Sequence, residues 1–198
     1  VAVATITAGR IESGPGRLYY ASLATAIPVI TAAASKIAAT WTSWVEVGAT
    51  DEGITYTEST DTADITVAES LYPIRTVVTG KSSRIAVTLN QIDDLNWQLA
   101  MNGGTATSTG TGATKLTTYV PPLVGAEVRV KLAFVANLDT EAIVWPQCLN
   151  VGSVEYVRGT YETKAGLSLE FNAEIPSAEA GYATPYKRFT SGALSLAP

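Results

Sequence analysis

Residues 166–175, GLSLEFNAEI, alternate apolar and polar side chains without a break. A period of two is the mark of a strand with one dry face and one wet face. Leu167, Leu169, Phe171, Ala173 and Ile175 fall on the expected core side; Ser168, Glu170, Asn172 and Glu174 fall on the other. The pattern recurs in Ile85, Val87 and Leu89 against Arg84, Ala86 and Thr88. It recurs again over 126–135, AEVRVKLAFV, where Val128, Val130, Leu132 and Phe134 point one way and Glu127, Arg129 and Lys131 the other. Residues 14–25 and 44–59 read as further strands, the second broken near Thr50–Gly53, with Ile54 and Tyr56 opposite Thr55, Thr57 and Ser59. Residues 142–149 make one more, which Pro146 should place at an edge or a bulge. Short strands are expected over 154–158 and 161–164. Many short strands with frequent turns predict a mainly β chain, a sandwich or barrel.

A single helix breaks this pattern, over about 91–102. Asn90 stands at the expected N-cap, and Asp93 and Asp94 face the positive end of the helix dipole. Asn102-Gly103-Gly104 supplies the stop, since glycine adopts left-handed backbone at no steric cost. Ile92, Leu95 and Leu99 form the expected core stripe. Trp97 and Met101 lie on the opposite side, where in a lone copy they would face water, so they are expected to bury against another subunit. Residues 32–40 have the propensity for a short second helix, and 103–118, rich in Thr, Ser and Gly, read as a flexible loop. Residues 176–198 read as a covering C-terminal segment, and the 198 residues suit one domain.

Several chemistries lack their residues. The chain has no histidine, the commonest general base and metal ligand. Cys148 is the one cysteine, which precludes an intrachain disulfide and a thiolate metal cluster. Gly80-Lys81-Ser82 would need a glycine five residues before Gly80 to be a phosphate loop, and Arg75 stands there. No enzyme activity, cofactor or metal is expected. A net charge of −5 with scattered Lys and Arg argues against a nucleic-acid-binding surface. Charged residues are 16% of the chain, below the usual level of about 25%, so part of the surface is expected to be covered by further copies. The opening VAVATITAGRIE lacks the regions of a secretory signal, and no apolar run is long enough to cross a bilayer. Between Lys36 and Arg75 there is no basic residue, while Glu46, Asp51, Glu52, Glu58, Asp61, Asp64 and Glu69 are acidic. That bias reads equally as a solvated face.

Taken in order, the motifs resemble one family. They are GPGRLYYASLATAIP over 14–28; Trp44-Val45-Glu46-Val47-Gly48 followed by Asp51-Glu52-Gly53-Ile54-Thr55-Tyr56; Asp64-Ile65-Thr66-Val67-Ala68-Glu69-Ser70; and Arg75-Thr76-Val77-Val78-Thr79 leading into a strand, an acid-capped helix and Asn-Gly-Gly. Together they are similar to the major tail tube proteins of long-tailed (siphovirus-type) bacteriophages.

The resemblance implies a two-sheet β-sandwich of the phage tail-tube type, flanked by the helix, with a long inter-ring arm over about 50–83. It implies six copies per ring and rings stacked into the hollow tail tube through which viral DNA passes. Partners would be the protein itself, a tape-measure protein and the tail terminator and tip proteins. DNA would be a transient, non-specific occupant, and the place would be the virion tail, made in the host cytoplasm. The acidic arm (Asp51, Glu52, Glu58, Asp61, Asp64, Glu69) would then need basic partners on the next copy, with Arg75, Lys81 and Arg84 the nearest in sequence. The lumen would be lined first by Ser168, Glu170, Asn172 and Glu174, then by Thr55, Thr57 and Ser59 or by Ala86 and Thr88. Six copies at −5 give roughly −30 per ring, a sign that would let DNA slide without sticking. Two other readings stand beside this one. One is a monomeric sandwich binding carbohydrate or a cell surface through Trp41 and Trp44; the other is a capsid-decorating protein.

Overall fold

The computed structural model describes residues 16–33, 36–68, 72–137, 139–158, 165–177, 179 and 181–191. Its strands are β1 (Gly16–Ser22), β2 (Thr31–Ala33), β3 (Lys36–Ala38), β4 (Val45–Glu46), β5 (Thr50–Ile65), β6 (Arg75–Leu89), β7 (Thr105–Thr109), β8 (Leu116–Val120), β9 (Val130–Ala136), β10 (Glu141–Asn150), β11 (Glu155–Val157), β12 (Gly166–Ala173) and β13 (Lys187–Thr190). One α-helix, α1 (Asp94–Ala100), lies between β6 and β7. The expected strand over 161–164 and Glu69 lie outside the described residues.

Strand β10 organises the sandwich. Its first half pairs with β9 (Ala142 opposite Val135, Trp145 opposite Leu132) and with β13. Its second half pairs with β12 (Cys148 opposite Ala173, Asn150 opposite Phe171). The register shifts between Trp145 and Cys148, around Pro146. A proline cannot donate to the ladder, so it sits where the ladder is interrupted. The extra residue also reverses parity: Trp145 and Cys148, an odd number apart, both face the same core. Pro146 therefore marks a bulge, while the strand itself is central rather than an edge. Following the order β4-β1-β9-β10-β12-β6-β5, the chain forms two antiparallel layers joined through β10, the β-sandwich expected.

The core between the layers holds Leu18, Leu132, Trp145 and Cys148 from one side. Ile85, Val87, Leu89, Leu167, Leu169 and Phe171 come from the other. Each such side chain contributes about 1.5–3 kcal/mol when fully buried. Ile175, expected in this row, lies beyond the end of β12 and is exposed.

The outer face of β1, β9 and β10 is also covered. Tyr19, Ala133, Val135, Ala142 and Val144 form a second cluster with Ile37 and Trp44, and Trp41, Tyr182 and Phe189 pack onto it. Strands β2 and β3 pair as a ribbon that supplies the Ile37 of this cover, where a short helix over 32–40 was expected from the alanines. Double-sided burial also overturns the wet-face reading of Lys131, which is 2% exposed. Its Nζ donates to the Thr25 carbonyl (2.8 Å) and forms an ion pair with Glu179. The signal was present in the sequence: Ala133 and Val135 continue the supposedly wet face as an apolar one beyond Lys131.

The helix is shorter than expected and capped differently. Asp93 is the N-cap, its Oδ1 accepting from the Asn96 amide at 2.8 Å, while Asn90 donates instead to Asp51. Asn96, Leu99 and Ala100 form the buried face and Leu95 is exposed. The helix is rotated so that Asn96 Nδ2 can reach the carbonyls of Val47 and Gln91, both at 2.8 Å. The Asn-Gly-Gly stop forms as expected: Asn102 and Gly103 have positive φ (55° and 117°), and Gly103 N donates to Gln98 O.

Residues 105–120 form a β7–β8 hairpin rather than an irregular loop. Their β-branched threonines suit a ladder, Ser108 and Thr117 share a hydroxyl bond (2.9 Å), and Tyr119 Oη donates to Gly103 O.

Asn150 ties the helix to the sandwich. Its Nδ2 donates to Ala100 O (2.6 Å) and its Oδ1 accepts from Glu170 N (3.1 Å); Asn102 pairs with the Asn150 backbone in both directions. Replacing Asn150 by Ala strands buried partners on two elements. The expected cost is about 2–3 kcal/mol, read as a lower urea midpoint with unchanged slope.

Candidate assembly surface

Three features expected from the sequence can be located: the arm, the polar sheet face and the second side of the helix. The arm is the outer part of the β5–β6 hairpin. Strand β12 pairs with β6 only as far as Asn172 opposite Arg84, whereas β5 and β6 stay paired out to Ile65 opposite Arg75. From Glu58 outward the two strands form a ribbon with no third strand beside it among the described residues, roughly 20 Å long at about 3.3 Å per residue. Residues 57–68 are exposed throughout. Ser59 and Ser82 hydroxyls bond at 2.7 Å, and Thr76 Oγ1 donates to Asp64 at 2.6 Å. An isolated two-stranded hairpin is marginal, so this one depends on continuity with the sheet at its root.

At that root the polar groups converge. Ser83 Oγ donates to Tyr56 Oη (3.1 Å), and both Tyr56 Oη (3.3 Å) and Tyr186 Oη (3.0 Å) donate to Glu58 Oε2. Burial, first among the causes, pushes the Tyr56 phenol well above its ordinary pKa, which keeps it a donor. Glu58 is thus engaged within its own chain, with Lys81 at 3.9 Å. Asp51 takes Asn90, and Asp61 lies against Gly80. The expected basic partners are also partly used internally, since Arg84 pairs with Glu170 at 2.5 Å. Arg75 lies at the far end of the ribbon.

The lumen candidates, offered as separate sets, share one face. Register places Ser168 opposite Thr88, Glu170 opposite Ala86, and Asn172 opposite Arg84. Thr55 lies opposite Ala86, Thr57 opposite Arg84, and Ser59 opposite Ser82. The result is a continuous sheet face of hydroxyls, amides and small side chains across β12, β6 and β5. Its two glutamates are compensated: Glu170 by Arg84, and Glu174 by Arg129 at 2.6 Å. The face is therefore not the uncompensated anionic wall that net charge suggested. Gly152 lets the following chain lie flat against it, since a Cβ there would come within 2.6 Å of the Glu170 Cβ.

The second side of the helix does not face water as expected. Trp97 is half-buried, edge-on to Tyr156 (5.4 Å) and Tyr119 (6.4 Å). Hairpin β7–β8 and β11 supply the cover that the reading from the helix alone could not see. Met101 is half-buried and Tyr156 forms the outer layer of this cluster. The carbohydrate platforms also fail to appear. Trp44 is buried with its Nε1 donating to Ala26 O, and Trp41 has one ring face stacked on Tyr19 at 5.5 Å.

The family model for phage tail tube proteins matches residues 5–145, well over half of the chain. The chain belongs to the phage tail tube protein family. It is thus a structural component of a virion tail. A search among curated proteins finds no match. No described helix of this tail tube protein is long and apolar enough to cross a membrane, and no described group of His, Cys, Asp and Glu is placed to hold a metal ion.

Arg129, donating to Glu174, is the leading cause that holds this carboxyl below the usual carboxylate range; partial burial opposes it and Gln147 (2.7 Å) assists. A lowered folded pKa stabilises fully above the unfolded value of about 4.3 and is lost as pH falls through the folded value. Glu174→Gln should therefore lower stability at pH 7 by under about 1 kcal/mol, as expected for a partly exposed pair, read as a small drop in melting temperature. The difference from the parent should vanish in melts near pH 2.

Proposed function

We propose that copies of this tail tube protein close side by side into six-membered rings, and that the rings stack into a hollow tube that conducts viral DNA. The observation that supports this best is the ribbon. A tail tube subunit projects about 20 Å of paired but uncovered strand away from its sandwich, structure that gains burial only against another copy. Lateral contacts whose rotation closes give rings, while stacking contacts repeat without closure. Tape-measure, terminator and tip proteins would then set the length of the polymer.

The polar face of β12, β6 and β5 is the surface proposed to line the bore. Hydroxyls, amides and compensated ion pairs offer phosphate no cluster of cations, so DNA releases no counterions on contact and slides. Met101 and Tyr156, lying outside Trp97, are the side chains that a lateral neighbour would meet at the helix.

Negative-stain microscopy of purified protein tests the assembly directly. Rings or tubes of uniform bore are expected, and dispersed single particles at high concentration would overturn the reading. The orientation has its own test. Ser168→Lys with Thr55→Lys, both at exposed positions, should leave tubes intact but slow DNA release from phage at least tenfold, and slow it more at low salt. Unchanged release from intact tails would place this face elsewhere.

A further inference from the structure

The arm reads as acidic in sequence, yet the far end of its described part is apolar. Ile65 closes the ladder opposite Arg75, and Ile74 N donates to Ile65 O at 2.9 Å, so these two isoleucines sit side by side at the end of the ribbon. Ile74 is 63% exposed, and Ile65, Val67 and Tyr72 at the same end of the ribbon are exposed as well. A cluster of branched and aromatic side chains at the end of a solvated ribbon marks a contact surface.

At the other end of the same ribbon lies a cleft of about 640 Å³. It opens between the arm root, the end of β12 and the C-terminal stretch. Ile175, 65% exposed, Pro185 and Tyr186 give it an apolar lining, and Glu58, Lys81 and Asn172 give it polar groups. That volume and that mixture suit the insertion of a few apolar side chains. The paired ribbon holds the tip away from its own root, so the cleft cannot be filled by the arm of the same copy. The match is apolar rather than charged: of the two carboxylates in the lining, Glu174 is paired with Arg129, and Glu58 takes two phenol hydroxyls beside Lys81.

We propose that the isoleucine tip of one arm seats in the root cleft of another copy. This rests on the tube reading above and gives the arm a defined receptor: Ile65 and Ile74 as the inserted groups, and Ile175, Pro185 and Tyr186 as their seat. Tip and root are different surfaces of one chain, so the contact is head-to-tail and repeats from copy to copy. Its driving force is apolar burial, not the pairing of the acidic arm with basic partners.

Cross-linking within assembled protein tests it. The double variant Ile74→Cys with Ile175→Cys carries one thiol at the tip and one at the seat; the native Cys148 is fully buried and stays unreactive. Treatment of its polymer with a short bis-maleimide should give a ladder of covalent species beyond the dimer, whereas either single variant should stop at the dimer. Ile74→Asp should raise the protein concentration needed for assembly at least tenfold, with Ile74→Leu close to the parent. A polymer of the double variant that yields only monomers and dimers would overturn the seating while leaving the tube intact. So would a ladder that appears instead with Ile74→Cys and Val124→Cys, on the exposed loop after β8. Absence of any polymer from the parent protein would overturn both the tube reading and the seating.

Discussion

The fold depends on β10 belonging to two layers at once. Its first half is fixed by β9 and β13 and its second by β12, so the register shift at Pro146 sets how one layer meets the other. Everything that positions the assembly surface follows from the second half: β12 hangs on Cys148–Asn150, β6 hangs on β12, and the arm is the free extension of β6 and β5. The junction is filled by Trp145, fully buried and tilted against Tyr56 at 5.7 Å. Its indole N–H has no acceptor among the described residues. An unsatisfied buried donor costs about 1–3 kcal/mol, which the apolar contact of so large a ring offsets. The neighbouring Cys148 thiol is pushed well above its ordinary pKa by burial, and it behaves as a small apolar residue.

What could be read from the sequence was what one strand or one turn decides alone. The alternation in β12 and at the inner end of β6 gave the correct faces for Leu167, Leu169, Phe171, Ile85, Val87 and Leu89, because in a half-buried strand the pattern is the burial. The Asn-Gly-Gly stop was legible for a similar reason, since left-handed backbone has few candidates. Errors arose where a distant element changed the environment. Lys131 was assigned to water by parity, but a second cluster covers that face and supplies Glu179 from 48 residues away. Asn96 took the place expected for Leu95 on the buried face because two carbonyls, one of them on the distant Val47, needed a donor. The helical propensity of 32–40 gave way to strands β2 and β3, which place Ile37 in that same second cluster. For the assembly surface, positions were legible and pairing was not: Glu58, Glu170 and Glu174 were singled out as charges, while Tyr186, Arg84 and Arg129, which engage them, lie far off in sequence.

This pairing changes what net charge means here. A total of −5 suggests an anionic surface, but the carboxylates of the polar face are held by arginines beside them, and much of the remaining acid lies along the arm. Compensated pairs at a partly exposed surface add little stability. They remove the long-range field while leaving a hydrated, hydrogen-bonding face. If this face lines the bore proposed above, it would avoid both adhesion to a polyanion and the crowding of like charge that would weaken contacts between copies.

The C-terminal stretch links these parts mechanically. Strand β13 is hydrogen-bonded to the first half of β10, in one layer, and Arg188 pairs with Glu141 there. Just before it, Tyr186 packs edge-on to Tyr56 at 5.1 Å and donates to Glu58 at the arm root, in the other layer. Tyr182, its phenol pushed up to about 12 chiefly by burial, lies over the second cluster between the two attachments. One segment therefore spans both layers and fixes the arm at the residue where it loses its third strand. A two-stranded ribbon is flexible at such a point unless something beyond the sheet constrains it. With Tyr186 in place, the direction of the arm is referred to both layers of the sandwich. In the tube proposed above, a contact made at the tip would then be transmitted to the face that the layers present, and this coupling would let a ring and the ring above it keep one orientation.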